Sequence, residues 1–152
     1  MTPKRKKVHK VLEIREQNLN EKAGVLHQAH AGRNLAATHA LDAANHLVAA
    51  TEYRNSLATR SINVSSWIDA EQWLAHKNDQ NALAQSNLES AELFVTRAHK
   101  NVIEARSDVK RMELLDKRIA NGETRKELRL EQTSNDDHAR RPYLNARRGD
   151  MG

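Results

Sequence analysis

The second half of the chain carries an unbroken series of small and apolar residues spaced alternately four and three positions apart. The nine positions are Ala84, Leu88, Ala91, Val95, Ala98, Val102, Ala105, Val109 and Met112. This spacing is the heptad pattern of a coiled coil. Because alanine alternates with a larger residue, two helices can approach closely, each large side chain facing a small one. We call this series the seam, and it predicts a long, rod-like helix packed against a partner helix.

The first half of the chain has the same period and can supply that partner. One edge holds Leu12, Leu19, Leu26, Ala40 and Leu47, and the adjoining edge holds Ala29, Ala36, Ala43, Ala50 and Leu57. The short turn-forming stretch 59–65 between the halves favours an antiparallel hairpin. If the chain turns near residues 62–63, the numbers of facing residues sum to about 125. Arg54 then lies opposite Glu71, and Arg33 lies opposite Glu92.

We therefore predict an all-α protein, a long two-helix antiparallel coiled coil (α-hairpin) with a flexible basic N-terminal arm and a partly disordered C-terminal tail. The predicted divisions are the arm 1–10, the first helix 11–58, the hairpin turn 59–66, the second helix 67–121 and a charged tail 122–152. Ser65 or Ser66 is expected to cap the second helix, and Asn121-Gly122 to end it. The tail is expected to be a helical extension or disordered, because it has no partner helix.

Composition argues against catalysis and membrane insertion. Only 38% of the residues are hydrophobic and 3% aromatic, which is too few for a thick core. The chain has no cysteine and no glycine-rich phosphate loop. His27 and His30 share a helix face but have no third ligand nearby in sequence. We therefore expect no enzyme activity, no cofactor and no metal. Without an apolar stretch of about 20 residues or a signal peptide, we expect a soluble cytoplasmic protein.

The net charge of +5 lies mainly in the first ten residues, which hold five cations and no anion. These cations are Lys4, Arg5, Lys6, Lys7 and Lys10. Either they form a solvated, flexible terminus, or they bind an acidic surface of a partner. A nucleic-acid partner is less favoured, because no aromatic residues are interleaved with the cations for base stacking.

Three of the five aromatic residues flank the predicted turn: Tyr53, Trp67 and Trp73. Tyr53 and Trp67 with Ile68 could form a small cap that closes the hairpin. Alternatively these residues form a partner-binding tip, since Tyr and Trp are common anchors of interfaces. Trp73 fits the hypothesis of a partner-binding tip best, because it adjoins the core position Leu74 and points away from the seam.

The residues around the turn resemble a known family. Residues 52–57 (Glu-Tyr-Arg-Asn-Ser-Leu), Trp67-Ile68 and Trp73-Leu74 are similar to the hairpin tip of FliJ, a small coiled-coil component of the bacterial flagellar type III export apparatus. Residues 11–16 (Val-Leu-Glu-Ile-Arg-Glu) resemble the first helix of the family. The resemblance extends from residue 8 to about residue 140. Ala49 and Lys77 stand where this family would be expected to carry larger residues.

The resemblance implies a non-enzymatic stalk with three kinds of partner: a FliI-like hexameric export ATPase, the FlhA-like cytoplasmic domain of the export gate, and export chaperones. It implies a cytoplasmic protein held peripherally at the inner membrane through the export apparatus. The tip residues expected at the gate are Tyr53, Trp67, Ile68 and Trp73. The residues expected at the ATPase are Lys4, Arg5, Lys6, Lys7, Lys10, Lys117 and Arg118.

Three other functions fit parts of the sequence. The equivalent stalk of a virulence injectisome (YscO-like) would share the architecture. A basic helical nucleic-acid-binding protein would use the arm and the tail. A structural coiled coil could instead self-associate in parallel, as a dimer of helices.

Overall fold

The computed structural model describes residues 1–60 and 63–149. Over these residues the chain forms two helices, α1 (Pro3–Ala58) and α2 (Val64–Gly149), and no strand. The helices pack against each other, which confirms the predicted all-α hairpin. Two compact units can be distinguished. The terminal unit comprises Met1–Gln17 with Ser107–Gly152, and the turn unit comprises Asn18–Arg106.

The core of the turn unit is the predicted seam and its counterpart on α1. Val102 is only 5% exposed, and its seam neighbours Ala98 and Ala105 are each 3% exposed. All seven seam positions of this unit are buried or half-buried, whereas every position between them is exposed. On α1 the buried residues are again mainly alanines: Ala29, Ala40 and Ala50, with Leu57. The small side chains therefore form the contact that the sequence predicted.

Arginines at two core positions of the turn unit behave differently. Arg54 is half-buried, and its Nη1 lies 3.5 Å from Oε1 of Glu71, which confirms that predicted pair. Its Nε is buried and has no hydrogen-bond partner among the described residues. Arg33 and Glu92 are both exposed, and neither forms an ion pair within residues 1–60 and 63–149. The predicted pairing of Arg33 is wrong because its long side chain reaches solvent, where an ion pair contributes little.

Ion pairs join the two helices of the terminal unit. Arg5 Nε donates to Asp116 Oδ1 at 2.9 Å, and Arg15 Nη1 lies 3.6 Å from Asp108 Oδ2. In the part of the chain that the structure describes, four ion pairs join α1 to α2, three in the terminal unit and one in the turn unit. In each of them the numbers of the two residues sum to between 121 and 125, in agreement with the predicted register. Val8 and Val109 are buried beside these pairs.

The first helix begins at Pro3 rather than at residue 11, so the basic arm is helical. Pro3 occupies the first helical position, where its fixed φ suits a helix and its missing N–H costs nothing. Thr2 precedes it as the cap, with Oγ1 accepting a hydrogen bond from the Arg5 N–H at 3.3 Å. The Thr2 hydroxyl also donates to the Glu123 carboxylate of α2.

The second helix begins at Val64 and continues to Gly149, beyond both predicted ends. Asn63 is its cap, because Asn63 Oδ1 accepts a hydrogen bond from the Ser66 N–H at 2.9 Å. Gly122 does not adopt the left-handed conformation that would end a helix, and the helix continues through it. The predicted tail is helical up to Gly149. The centre of the predicted turn, residues 61–62, and the tail residues 150–152 lie outside the described residues.

Candidate partner-binding surfaces

A groove beside the turn contains two of the four residues predicted at the tip. This turn groove has a volume of about 380 Å³ and is lined by His46, Ala49, Ala50, Tyr53, Trp73 and Lys77. The α1 residues recur at helical spacing, so they share one face. The two alanines form a shallow floor because their side chains are short. Tyr53 and Trp73 stand beside it with 55% and 53% of their surface exposed.

Lys77 orders one side of the turn groove. Its Nζ lies 5.5 Å from the centroid of the Trp73 ring, within the range of a cation–π interaction. The same Nζ donates a hydrogen bond to Gln80 Oε1 at 3.2 Å. Lys77 therefore holds the indole ring while its own charge stays near solvent. The groove combines two exposed rings with one cation, a combination suited to an apolar or acidic partner segment.

Trp67 and Ile68, the other two predicted tip residues, do not line the turn groove. Trp67 is half-buried and precedes the buried Ala70 by three positions, which is the core spacing of α2. Ile68 is 48% exposed. Of the four predicted tip residues, Tyr53 and Trp73 thus line the turn groove, Ile68 is exposed outside it, and Trp67 lies at a core position near the end of the hairpin.

A second groove in the turn unit was missed by the sequence analysis. It has a volume of about 470 Å³ and adjoins the turn groove, since His46 lines both. Leu35 and Leu83 line it from opposite helices, and they are 59% and 63% exposed. Each directly precedes a core alanine, Ala36 or Ala84. The sequence signal for this groove is a leucine directly before a core alanine. Because the alanine side chain is short, the leucine beside it stays exposed at the surface.

The terminal unit brings together two of the cations predicted to bind the ATPase. Lys4 and Arg118 line a groove of about 560 Å³, the terminal groove, together with Leu115, Ile119 and Lys126. Its floor is apolar, and its rim is cationic apart from the carboxylate of Glu123. An apolar floor with a charged rim is the usual arrangement of a protein–protein contact.

The remaining predicted cations are not gathered at this groove. Lys117 lines a separate depression with Leu12, and Lys6, Lys7 and Lys10 are exposed outside both grooves. Arg5 is already paired, because it makes two hydrogen bonds to the Asp116 carboxylate.

The pairing of Arg5 with Asp116 alters the titration of both groups. The hydrogen bond from Arg5 is the main cause that lowers the pKa of Asp116 below its ordinary value, and it raises the pKa of Arg5. His9 Nε2 also lies 3.0 Å from Asp116 Oδ1. The side chain of Asp116 is 18% exposed, which makes it a partly buried acceptor shared by two basic residues. Arg5 therefore contributes to the register of the helices.

Comparison with known protein families shows to which family the chain belongs. The sequence model of the family described as Flagellar FliJ protein matches residues 4–148. The chain belongs to the FliJ family. The match includes the turn groove, the terminal groove apart from Thr2, and nearly all of the tail. No curated protein and no solved structure matches the chain.

Membership of the FliJ family implies a role as a non-catalytic stalk in the flagellar protein export apparatus. It favours the flagellar system over the injectisome alternative. Within residues 1–60 and 63–149, no three His, Asp or Glu side chains are grouped so that they could hold a metal ion. No described helix is long and apolar enough to cross a membrane.

Proposed function

We propose that this FliJ-family chain links the hexameric export ATPase to the export gate. The terminal unit docks in the FliI-like ATPase and promotes its assembly and activity. The turn groove binds the FlhA-like cytoplasmic domain of the gate, and export chaperones are further partners. The observation that supports this proposal best is the family match over residues 4–148, which spans two grooves of different chemistry.

The turn groove suits a stable contact with the gate. Tyr53 and Trp73 are both about half exposed, so a partner can bury further ring surface on them. Aromatic side chains dominate the binding energy of many interfaces, with losses above 1 kcal/mol on truncation. Lys77 holds Trp73 in place through the cation–π contact, which lowers the entropy lost on binding.

The terminal groove suits weaker and exchangeable contacts with a ring of ATPase subunits. Lys4, Arg118 and Lys126 surround a small apolar floor, and exposed charges of this kind contribute about 0.2–1 kcal/mol each. Several weak, salt-sensitive contacts allow a stalk to shift between equivalent subunits without a large barrier. The same cations also accelerate encounter with acidic surfaces.

The test uses one variant for each surface. Tyr53→Ala with Trp73→Ala should weaken binding of the purified gate cytoplasmic domain at least about tenfold, because two aromatic anchors are lost. The same protein should retain its stimulation of the ATPase. The matched control is Leu93→Ala with Phe94→Ala, which removes a leucine and an aromatic ring that are 60% and 52% exposed elsewhere in the turn unit.

The reciprocal variant is Lys4→Glu with Arg118→Glu. It should reduce ATPase stimulation while gate binding persists, and its effect should shrink in high salt because exposed charges are screened. Gate binding is measured by calorimetry, and circular dichroism establishes that each variant is helical. Undiminished gate binding by a folded Tyr53/Trp73 variant would show that the turn groove is not the gate surface. Equal loss of both activities in one variant would show that the two surfaces are not separate.

A further inference from the structure

The last part of α2 has no partner helix within residues 1–60 and 63–149. Because α1 begins at Pro3, and Thr2 already pairs with Glu123, α1 offers no residue opposite the stretch 124–149. Every residue of this stretch is exposed. We call it the tail helix. Its seven lysines and arginines are Arg125, Lys126, Arg129, Arg140, Arg141, Arg147 and Arg148.

All seven cations of the tail helix lie on the same side. At 3.6 residues per turn they fall within about 160° of the helix circumference. Glu127 and Glu131 lie on the opposite side. The cationic side also carries the exposed apolar residues Leu130, Tyr143 and Leu144. We call this side the tail face.

The tail face is the continuation of the seam. The 3-4 spacing that runs through the half-buried residues Ile119 and Glu123 continues into the tail helix. The next positions are Lys126, Leu130, Thr133, Asp137, Arg140 and Leu144. The side of α2 that packs on α1 in the terminal unit thus becomes cationic beyond the first residue of α1.

We infer that the tail face is the docking surface for an acidic amphipathic helix of a partner protein, which packs where α1 ends. Leu130 and Leu144 are two heptads apart and supply knobs for a coiled-coil contact. The flanking arginines pair with carboxylates at the edges of the incoming helix. Asp137, midway between the two leucines, selects a partner with one cation at the facing position, since a charge at a core position specifies partner and register.

The other polyanionic partners fit this face less well. A helix that lies in a membrane interface needs an apolar side distinct from its cationic side. Here Leu130 and Leu144 share one side with the arginines, and the opposite side carries Glu127 and Glu131 beside the single exposed Leu128. Nucleic acid presents phosphates at regular intervals, and Asp136 and Asp137 in the middle of the tail face would repel them. Of the seven cations only Lys126 also lines the terminal groove, so the tail face is largely a separate surface.

The test uses the full chain and a synthetic helical peptide of about four heptads. The peptide carries leucine at one core position of each heptad, glutamate at the flanking positions and one lysine to face Asp137. A charge-reversed peptide of the same length is the second probe. The acidic peptide should bind, and the charge-reversed peptide should not, when fluorescence anisotropy is measured at about 0.15 M salt. Absence of binding by the acidic peptide would overturn the inference.

Two matched triple variants locate the binding site. Arg129→Ala, Arg140→Ala and Arg147→Ala together should weaken the peptide roughly 3- to 100-fold, since three exposed ion pairs are lost. The control replaces Arg97, Lys100 and Arg106 by alanine, because these are exposed cations of α2 in the turn unit. Alanine keeps the helix in both proteins. Equal affinity for the two variants would place the peptide elsewhere and refute the assignment.

A charge swap tests the role of Asp137. Asp137→Lys should weaken the acidic peptide, and replacing the single lysine of the peptide by glutamate should restore its affinity for that variant. Failure of this rescue would refute the proposed register. Vesicles of phosphatidylglycerol and phosphatidylcholine and a short DNA duplex are tested in parallel. Tighter binding of either one than of the peptide, abolished by the tail triple variant, would replace the acidic helix with a phosphate-bearing partner.

Discussion

Replacing Val102 by alanine tests the close packing of the two helices at a buried position of the seam. Val102 is 5% exposed, and its seam neighbours Ala98 and Ala105 are 3% exposed. Since both neighbours are alanines, no adjacent seam side chain is long enough to fill the space that the valine leaves. The substitution should therefore create a cavity that persists in the folded protein.

The expected magnitude follows from three contributions. Loss of two buried methyl groups costs about 1.6 kcal/mol, at about 0.8 kcal/mol per group. The cavity adds up to about 1 kcal/mol. The higher helix propensity of alanine offsets about 0.5 kcal/mol. The free energy of unfolding should thus fall by about 1–2 kcal/mol. Val48→Ala is the matched control, because Val48 is 55% exposed and should gain only the propensity contribution.

Urea unfolding followed by far-UV circular dichroism measures both variants. The midpoint of the Val102 variant should fall while that of the Val48 variant stays the same or rises slightly. If the two variants changed stability equally, within about 0.5 kcal/mol, the seam would not be the buried contact between the helices. The reasoning from alternating alanines to close packing would then be refuted.

Two further predictions concern the Arg5–Asp116 pair and the cap of α2. Asp116→Asn should lower the melting temperature at neutral pH, because the lowered pKa of Asp116 means that its carboxylate stabilises the folded state above the unfolded pKa of about 3.9. This stabilisation is lost as pH falls through the lowered pKa of the folded state. The difference in melting temperature between the variant and the parent protein should therefore shrink in acid. A difference that did not change with pH would contradict the assignment. Asn63→Ala should cost about 1 kcal/mol in urea unfolding through loss of the cap, whereas Asn63→Ser should cost less, and equal stabilities would exclude a capping role.

The architecture was largely predictable because the spacing of apolar residues along the sequence determines which side of each helix makes the contact. The seam and the α1 residues at its period determine which sides pack, and the turn determines the register. Arg54 pairs with Glu71 as predicted, because a half-buried guanidinium requires a partner. Arg33 does not pair with Glu92, because an exposed arginine is solvated by water instead. Local spacing therefore predicts core contacts better than it predicts surface pairs.

The helix ends were less predictable, since they depend on single hydrogen bonds and on competition with helix growth. Thr2 and Asn63 cap the helices through side-chain oxygens, and each lies outside the bounds that apolar spacing suggested. Gly122 costs about 1 kcal/mol in a helix interior. That cost does not end α2, because an established helix extends by one hydrogen bond for each added residue.

The candidate surfaces were predictable only where residue type was unusual. Tyr53 and Trp73 were predictable as surface residues because aromatic residues are scarce in this chain, and both line the turn groove. Leu35 and Leu83 were not predictable, since single exposed leucines are common on protein surfaces. Their joint groove depends on both helices and on the short alanines between them. Such a feature requires three-dimensional structure.

The ion pairs between α1 and α2 also bear on the order in which the hairpin forms. Arg54 and Glu71 are 17 residues apart in sequence, whereas Arg5 and Asp116 are 111 apart. Closing the longer loop directly would cost about 1.7 kcal/mol more in chain entropy. Folding is therefore favoured from the turn outward, with each new contact shortening the loop for the next. The Arg5–Asp116 pair closes last, so amide hydrogen exchange should be fastest at the termini and slowest in the alanine-rich seam.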